Sequence, residues 1–173
     1  MTAEMYERLE VREARTEDLD AVLSILENAA QWMVRQRLSG WMPGAFSRRR
    51  IAEIIVRGEI YLALLGGQIF GTFALQWTDD ETWGRGEDDA GYVHGLAVHR
   101  NFSGRGLGRE LLRWTETRVA QSGRQYLRLD CTAENDALNA YYQRAGFDYR
   151  GRTTVRGLEV SLYEKRAGFS GAG

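Results

Sequence analysis

Residues 9–14, LEVREA, alternate apolar and polar positions, and that period of two predicts a short strand. The next stretch, TEDLDAVLSILENAAQWMVRQ, changes period. Leu19, Val22, Leu26, Ala29 and Met33 recur at three- and four-residue steps, which predicts a helix with Thr16 as its N-cap and acids in the first turn. Ser47 is placed to cap a second helix carrying Ile51, Ile54 and Ile55. EIYLALL, the turn Gly66-Gly67 and QIFGTFALQW then read as a β-hairpin, followed by a further strand in GYVHGLAV.

The second half repeats the contrast. Leu107, Leu111, Leu112, Thr115 and Val119 share one helical face in LGRELLRWTETRVAQ, and Gly123 stands where a C-terminal cap belongs. QYLRLDC is a strand, AENDALNAYYQRAG a helix ending at Gly146, and FDYRGRTTV with LEVSLYEK a closing hairpin across Arg156-Gly157. The order β-α-α-β-β-β-α-β-α-β-β requires helices covering a mixed sheet.

Composition narrows the class. A chain of 173 residues suits one domain with a full core, expected over residues 1–166 with a flexible tail at 167–173. Pro43 is the one proline, so no proline-rich linker divides the chain. Only the acidic segment TDDETWGRGEDDAG and the tail AGFSGAG read as weakly structured. A net charge of −1 argues against nucleic acid and anionic membrane as partners. The charged start MTAEMYERLE lacks a signal-peptide core, and a cytoplasmic protein is the expectation. With a single cysteine, Cys131, an internal disulfide is excluded, and no Cys/His pattern implies a metal.

The stretch SGRGLGRELL, residues 103–112, carries the strongest chemical signal. Gly104, Gly106 and Gly108 allow conformations closed to other residues and let a ligand approach the backbone. At a helix start the free N–H groups and the dipole together favour phosphate, with Arg105 and Arg109 adding charge nearby. A Walker loop would end Gly-Lys-Ser/Thr, and a dinucleotide fingerprint would space its glycines G-x-G-x-x-G. This segment does neither. A glycine-rich turn that binds nothing is the remaining alternative.

Two further segments decide between them. VHGLAVHRNFSGRGLGRELL and LDCTAENDALNAYYQRAGF together resemble the GNAT superfamily of acyl-CoA-dependent N-acyltransferases, most strongly over Tyr92 to Phe147. Leu96-Ala97-Val98 matches the family's L-x-V strand end, and Gly106-Leu107-Gly108 the core of its pyrophosphate loop. Asn135, Tyr142 and Gly146-Phe147 match its later helix. The resemblance implies a single-domain α/β fold, with a mixed, mostly antiparallel sheet of about seven strands and about four helices. It also implies acetyl-CoA as co-substrate, held by residues 96–98, 103–109, Asn135 and Tyr142. The chain departs from the pattern at Ser103, where the family has Gln or Arg, and at Leu138, where it has alanine. Serine is shorter than Gln or Arg, so the longer side chain's phosphate contact is either lost or supplied by Arg100 or Arg105 instead.

The implied reaction is attack of an amine on a thioester carbonyl. Val98 N–H is the implied donor to the carbonyl oxygen, beside a core role for its side chain. Tyr142, seven residues after Asn135, is the implied acid for the departing thiolate, with aromatic packing the alternative reading. Tyr141 points about 100° away and is assigned to packing. His94, two residues before Leu96, is the candidate base, against a satisfied, half-buried histidine; Asp130 and Asp89 are weaker candidates. Asn135 either meets the pantetheine amides or caps its helix. Cys131 has no evident activating partner and reads as a small buried residue.

The acceptor is expected to be a small-molecule amine, with a protein N-terminus or lysine next and a non-catalytic acyl-CoA sensor as the rival. Trp32, Met33, Trp41, Met42 and Phe46, with Asp79, Asp80, Glu81, Glu87, Asp88 and Asp89 around Trp83, would attract a cationic amine by charge and cation–π contact. A solvated loop and core aromatics explain the same residues. By the same analogy a homodimer through the C-terminal strands is expected.

Overall fold

The computed structural model describes residues 9–168; the last residues of the expected tail, 169–173, and most of the charged start lie outside the described residues. Its strands are β1 (Leu9–Glu13), β2 (Ile60–Leu65), β3 (Gln68–Gln76), β4 (Ala90–Val98), β5 (Tyr126–Thr132), β6 (Asp148–Val155) and β7 (Leu158–Arg166). Its helices are α1 (Leu19–Arg35), α2 (Arg48–Val56), α3 (Asp80–Trp83), α4 (Leu107–Gln121) and α5 (Asp136–Arg144). The strands form one sheet in the order β1-β2-β3-β4-β5-β7-β6. β1/β2, β2/β3, β5/β7 and β6/β7 pair antiparallel, and β4/β5 pairs parallel. No described helix is long and apolar enough to cross a membrane.

Packing divides the chain into two compact units. The first holds residues up to Ala74 with Gly95–Gly108; the second holds Leu75–His94 with the chain from Arg109 onward. In the first, Val22, Ile25, Leu26 and Ala29 of α1 pack with Ile55 of α2, Ile60 and Leu62 of β2, and Ala97 of β4. Trp41 and Phe46, both half-buried, pack against that cluster and meet edge to face at 5.6 Å. Ser47 Oγ accepts from Arg50 N–H at 3.3 Å and caps α2. Thr16 does not cap α1. It lies in a 3₁₀ turn, Thr16–Asp18, where Asp18 accepts Arg15 N–H at 2.8 Å and holds Arg12 at 2.7 and 3.1 Å. An ionised carboxylate is a stronger acceptor than a hydroxyl, and Asp18 has oxygens enough to bond both Arg12 and Arg15 N–H.

In the second unit Leu111, Leu112, Thr115 and Val119 of α4 are buried, as are alternate residues Leu127, Leu129 and Cys131 of β5. Gly123 (φ +79°) and Gly146 (φ +90°) end α4 and α5 in the left-handed conformation expected of such caps. The acidic segment departs from its expected looseness. It contains a further helix, the single turn α3, capped by Asp79 Oδ1 accepting from Thr82 N–H at 3.2 Å. Three arginines take up its carboxylates: Arg156 meets Glu81 at 2.8 and 3.1 Å, Arg124 lies 3.9 Å from Asp88, and Arg128 lies 3.3 Å from Asp89.

Arg128 sits at the centre of a larger group. Its Nε donates to Glu164 at 2.7 Å and its Nη1 to the Tyr92 hydroxyl at 3.1 Å, with the rings of Trp83, Tyr92 and Tyr126 within 6 Å. Burial opposes its charge, yet the bonds to Glu164 and Tyr92 outweigh burial and raise its pKa.

Candidate active site

β4 carries the centre of the site. Its register with β5 runs from Ala90↔Tyr126 to Val93↔Leu129, and β4 continues from His94 to Val98 beyond the last pair. Gly95 takes φ +59° inside the strand, a conformation glycine adopts without steric cost and one that kinks a strand.

At the strand's end His99 N–H donates to Phe70 O at 2.8 Å. His99 Nδ1 accepts Asn101 N–H at 3.2 Å, a local turn contact. Arg100 is committed inward: its N–H meets Asn28 Oδ1 at 3.0 Å, its guanidinium donates to Val98 O at 2.7 Å, and it stacks 4.6 Å over Trp32. Burial lowers its pKa. Arg100 therefore holds the strand end, and Trp32 is occupied by it. Ser103 Oγ turns back to Arg100 O at 2.8 Å, so its short side chain is spent on the loop itself. Arg105 is exposed, 5.3 Å over the Phe102 ring.

Gly104 and Gly106 have φ +75° and +73°, and no atom stands within 4 Å of where a side chain would begin on either. The chain then enters α4 at Leu107, whose first-turn N–H groups lack intrahelical acceptors. A bare, left-handed turn open above the backbone and leading into a helix start fits a diphosphate. The Arg109 guanidinium donates to Arg144 O at 2.7 Å, at the C-terminus of α5. That bond uses one of the guanidinium's five N–H donors.

Tyr142 is 7 % exposed, ringed by Tyr141, Phe147 and Tyr163 with centroids 5.4–6.0 Å away. Burial first, then nearby Cys131, Tyr141 and Asp130, raises its pKa, so the phenol keeps its proton. Cys131 is buried and its thiol is pushed up to about 12 by burial and by Asp130. Asn135 is buried and its Oδ1 accepts Leu138 N–H at 3.0 Å, which makes it the N-cap of α5. Asn139, one turn on, is a structural residue that no motif in the sequence marks. Its amide donates to Thr132 O at 3.1 Å and Asn135 O at 2.8 Å while its Oδ1 accepts the Tyr163 hydroxyl at 2.7 Å. The Asn135/Asn139 repeat at four residues is the one available signal.

His94 has two carboxylates beside it. Its Nε2 lies 3.2 Å from Asp79 Oδ2 and its Nδ1 lies 3.9 Å from Asp130 Oδ1. One polar atom from each of the three lies within 4.8 Å of the others, a spacing at which such groups share a proton or a cation. Burial alone would raise the Asp79 pKa, but His94 and the Thr82 N–H lower it. Asp130 moves the other way, raised chiefly by burial and further by Asp79, with His94 opposing. Asp89, the other weaker candidate base, accepts from Arg128 at 3.3 Å.

The family model "Acetyltransferase (GNAT) family" matches residues 26–147. An uncharacterized N-acetyltransferase, YesJ, of Bacillus subtilis is 32% identical over 144 residues, covering 78% of this chain and 79% of that protein. A solved GNAT-family acetyltransferase from Listeria monocytogenes superposes with a TM-score of 0.77 at 27% identity, over 91% of this chain and 94% of that one. The PaiA N-acetyltransferase of Thermoplasma acidophilum, solved in complex with coenzyme A, shares the fold at 18% identity and a TM-score of 0.71, over 91% of this chain and 98% of that one. The family model covers most of the chain and a relative above 30% identity spans over two thirds of it: the chain belongs to the GNAT family and is an acetyl-CoA-dependent N-acetyltransferase.

Proposed function

We propose that this enzyme acetylates a primary amine of a small molecule by direct transfer from acetyl-CoA. Acetyl-CoA supplies the acyl group as a thioester. The open left-handed turn at Gly104 and Gly106, leading into α4, is the observation that carries the reading. The N–H groups of residues 104–109 hold the diphosphate, with Arg105 adding charge, and Leu96, Ala97 and Val98 receive the pantetheine arm. Asn135 supports the arm through the α5 start that it caps.

His94 takes a proton from the incoming ammonium, leaving a lone pair to attack. Val98 N–H stabilises the charge that develops on the carbonyl oxygen; a donor of this kind is typically worth about 2.7–4 kcal/mol. Tyr142, kept protonated by burial, gives its proton to the departing thiolate. Cys131, with its thiol pushed up to about 12, is no resting place for the acetyl group, which supports direct transfer.

Release of free thiol from acetyl-CoA, measured over a panel of amines and with Tyr142→Phe, tests the reading. Turnover on a small amine, cut by about 10²–10⁴-fold in the variant, is the expected result. Preferential acetylation of a peptide N-terminus or lysine would move the acceptor to protein. Tight coenzyme binding without turnover, unaltered in the variant, would make the chain a sensor.

A further inference from the structure

The group around His94 carries more than a base. Asp79 Oδ2 is buried in a side chain only 9 % exposed and makes no hydrogen bond among the described residues; the His94 ring nitrogen Nε2 lies 3.2 Å from it. An anionic oxygen in that position is costly unless a proton faces it. It therefore favours the histidine tautomer with hydrogen on Nε2 and the lone pair on Nδ1. Nδ1 faces Asp130 Oδ1 across 3.9 Å, with His94 31 % and Asp130 21 % exposed. That gap is too long for a direct hydrogen bond. It is short enough for one ammonium nitrogen to donate to both atoms at about 2.9 Å.

We propose, building on the acetyltransfer reading above, that Asp79, His94 and Asp130 form a seat for a cationic amine that has no carboxylate on its neighbouring carbon. Asp130 docks the ammonium, Asp79 holds the proton on Nε2, and Nδ1 is the atom that removes a proton. The transfer balances simply: an N–H bond of the ammonium breaks, an Nδ1–H bond forms, and the amine keeps the electron pair. The resulting imidazolium stands between two carboxylates and returns its proton to solvent. An α-amino acid would bring its own carboxylate close to Asp79 and Asp130, and like charges there oppose binding. Decarboxylated or terminal amines escape that repulsion. Among the described residues, carboxylates face His94 from the cap of α3 (Asp79) and from β5 (Asp130). Cys131 and Tyr142, which feel Asp130, remain protonated. Asp79 is a positioning residue, since it acts through His94.

With just two histidines in the chain, long-range proton–nitrogen correlation spectra of the ¹⁵N-histidine protein read the tautomer directly, and His94→Gln assigns the signals. The expected spectrum shows His94 protonated on Nε2, with its lone pair on Nδ1. Asp79→Asn keeps a competent helix cap, but its amide can donate toward Nε2. That variant should move the proton to Nδ1, lower kcat by about 10²-fold or more, and shift the acid limb of the rate profile to lower pH. A wild-type His94 protonated on Nδ1 overturns the proposal.

Thiol release is then compared for agmatine against arginine and tyramine against tyrosine. The decarboxylated member should lead by about 10-fold or more in kcat/KM, and Asp130→Asn should shrink that lead. A ratio near one, or a preference for the amino acids, overturns the acceptor class. So does acetyl-CoA binding in calorimetry with no turnover of any of the four. So does a rate abolished by EDTA and restored by Zn²⁺, which would give the group to a cation. Absence of acetyl-CoA binding would instead defeat the acetyltransfer reading. In that event agmatine should still shift the His94 nitrogen signals, an effect absent in Asp130→Asn, and no shift overturns the seat.

Discussion

Arg128 and His94 each gather carboxylates around a basic side chain in the same compact unit, and they differ in how closely they are held. Arg128 bonds Glu164 and Tyr92, meets Asp89 at 3.3 Å and lies against three rings. Three of its five N–H donors are engaged. His94 has one carboxylate at 3.2 Å and a second at 3.9 Å, and nearly a third of its side chain is exposed. A tightly bonded ion group resists change and serves as scaffold, whereas a looser one beside solvent can still rearrange around a substrate. Counting charged residues would not separate the two. Their distances do.

The comparison can be broken most forcefully at Arg128. Arg128→Met leaves Asp89 without its cation and Glu164 with only Arg150, 3.9 Å away, and should cost about 3 kcal/mol of stability, read by denaturant unfolding. Activity per folded molecule should persist; a loss of activity with unchanged stability would erase the distinction. His94→Gln should show the reverse, about 10²-fold lower kcat with an essentially unchanged melting temperature, measured on acetyl-CoA turnover and thermal unfolding.

A smaller effect is expected at a tightly bonded pair in the other unit. Asp18→Asn removes the Arg12 partner and should cost about 1 kcal/mol at neutral pH. The Asp18 pKa is lowered, first by its bond to Arg12, from an ordinary 3.8. Its contribution is therefore complete above that value and disappears as pH falls through the depressed folded value. The wild-type and variant melting temperatures should converge below about pH 4. Smallest of all, Glu81→Gln breaks an exposed pair with Arg156 and should alter neither melting temperature nor amine KM. A raised KM would return the acidic segment at large to acceptor binding.

Much of this was legible from spacing. The period-two runs became strands, and Leu111, Leu112, Thr115 and Val119 of α4 are buried as their helical face requires. Periodicity reports which face is covered, and so it reads well wherever burial decides. It is silent on which distant charges meet. Glu81 and Arg156 are 75 positions apart and Arg128 and Glu164 are 36 apart, so the anchoring of the acidic segment could not be read. Capping was legible in part. Ser47 behaves as its type suggests, but before α1 the chain makes a 3₁₀ turn that contains Thr16 and whose start is closed by Asp18 accepting Arg15 N–H. Asn135 shows the limit of motif matching, since one buried amide satisfies a helix start whether or not it also meets a ligand. His94 was legible as a candidate, but its two flanking carboxylates, brought from a helix cap and a neighbouring strand, were not.

The burial of Cys131 has a practical consequence at the bench. The chain's one sulfhydryl is shielded and holds its proton up to about pH 12, so a disulfide dye added to follow coenzyme release finds almost nothing on the protein to react with. Colour developed in such an assay reports product alone, from the first turnover and without a blank for the enzyme.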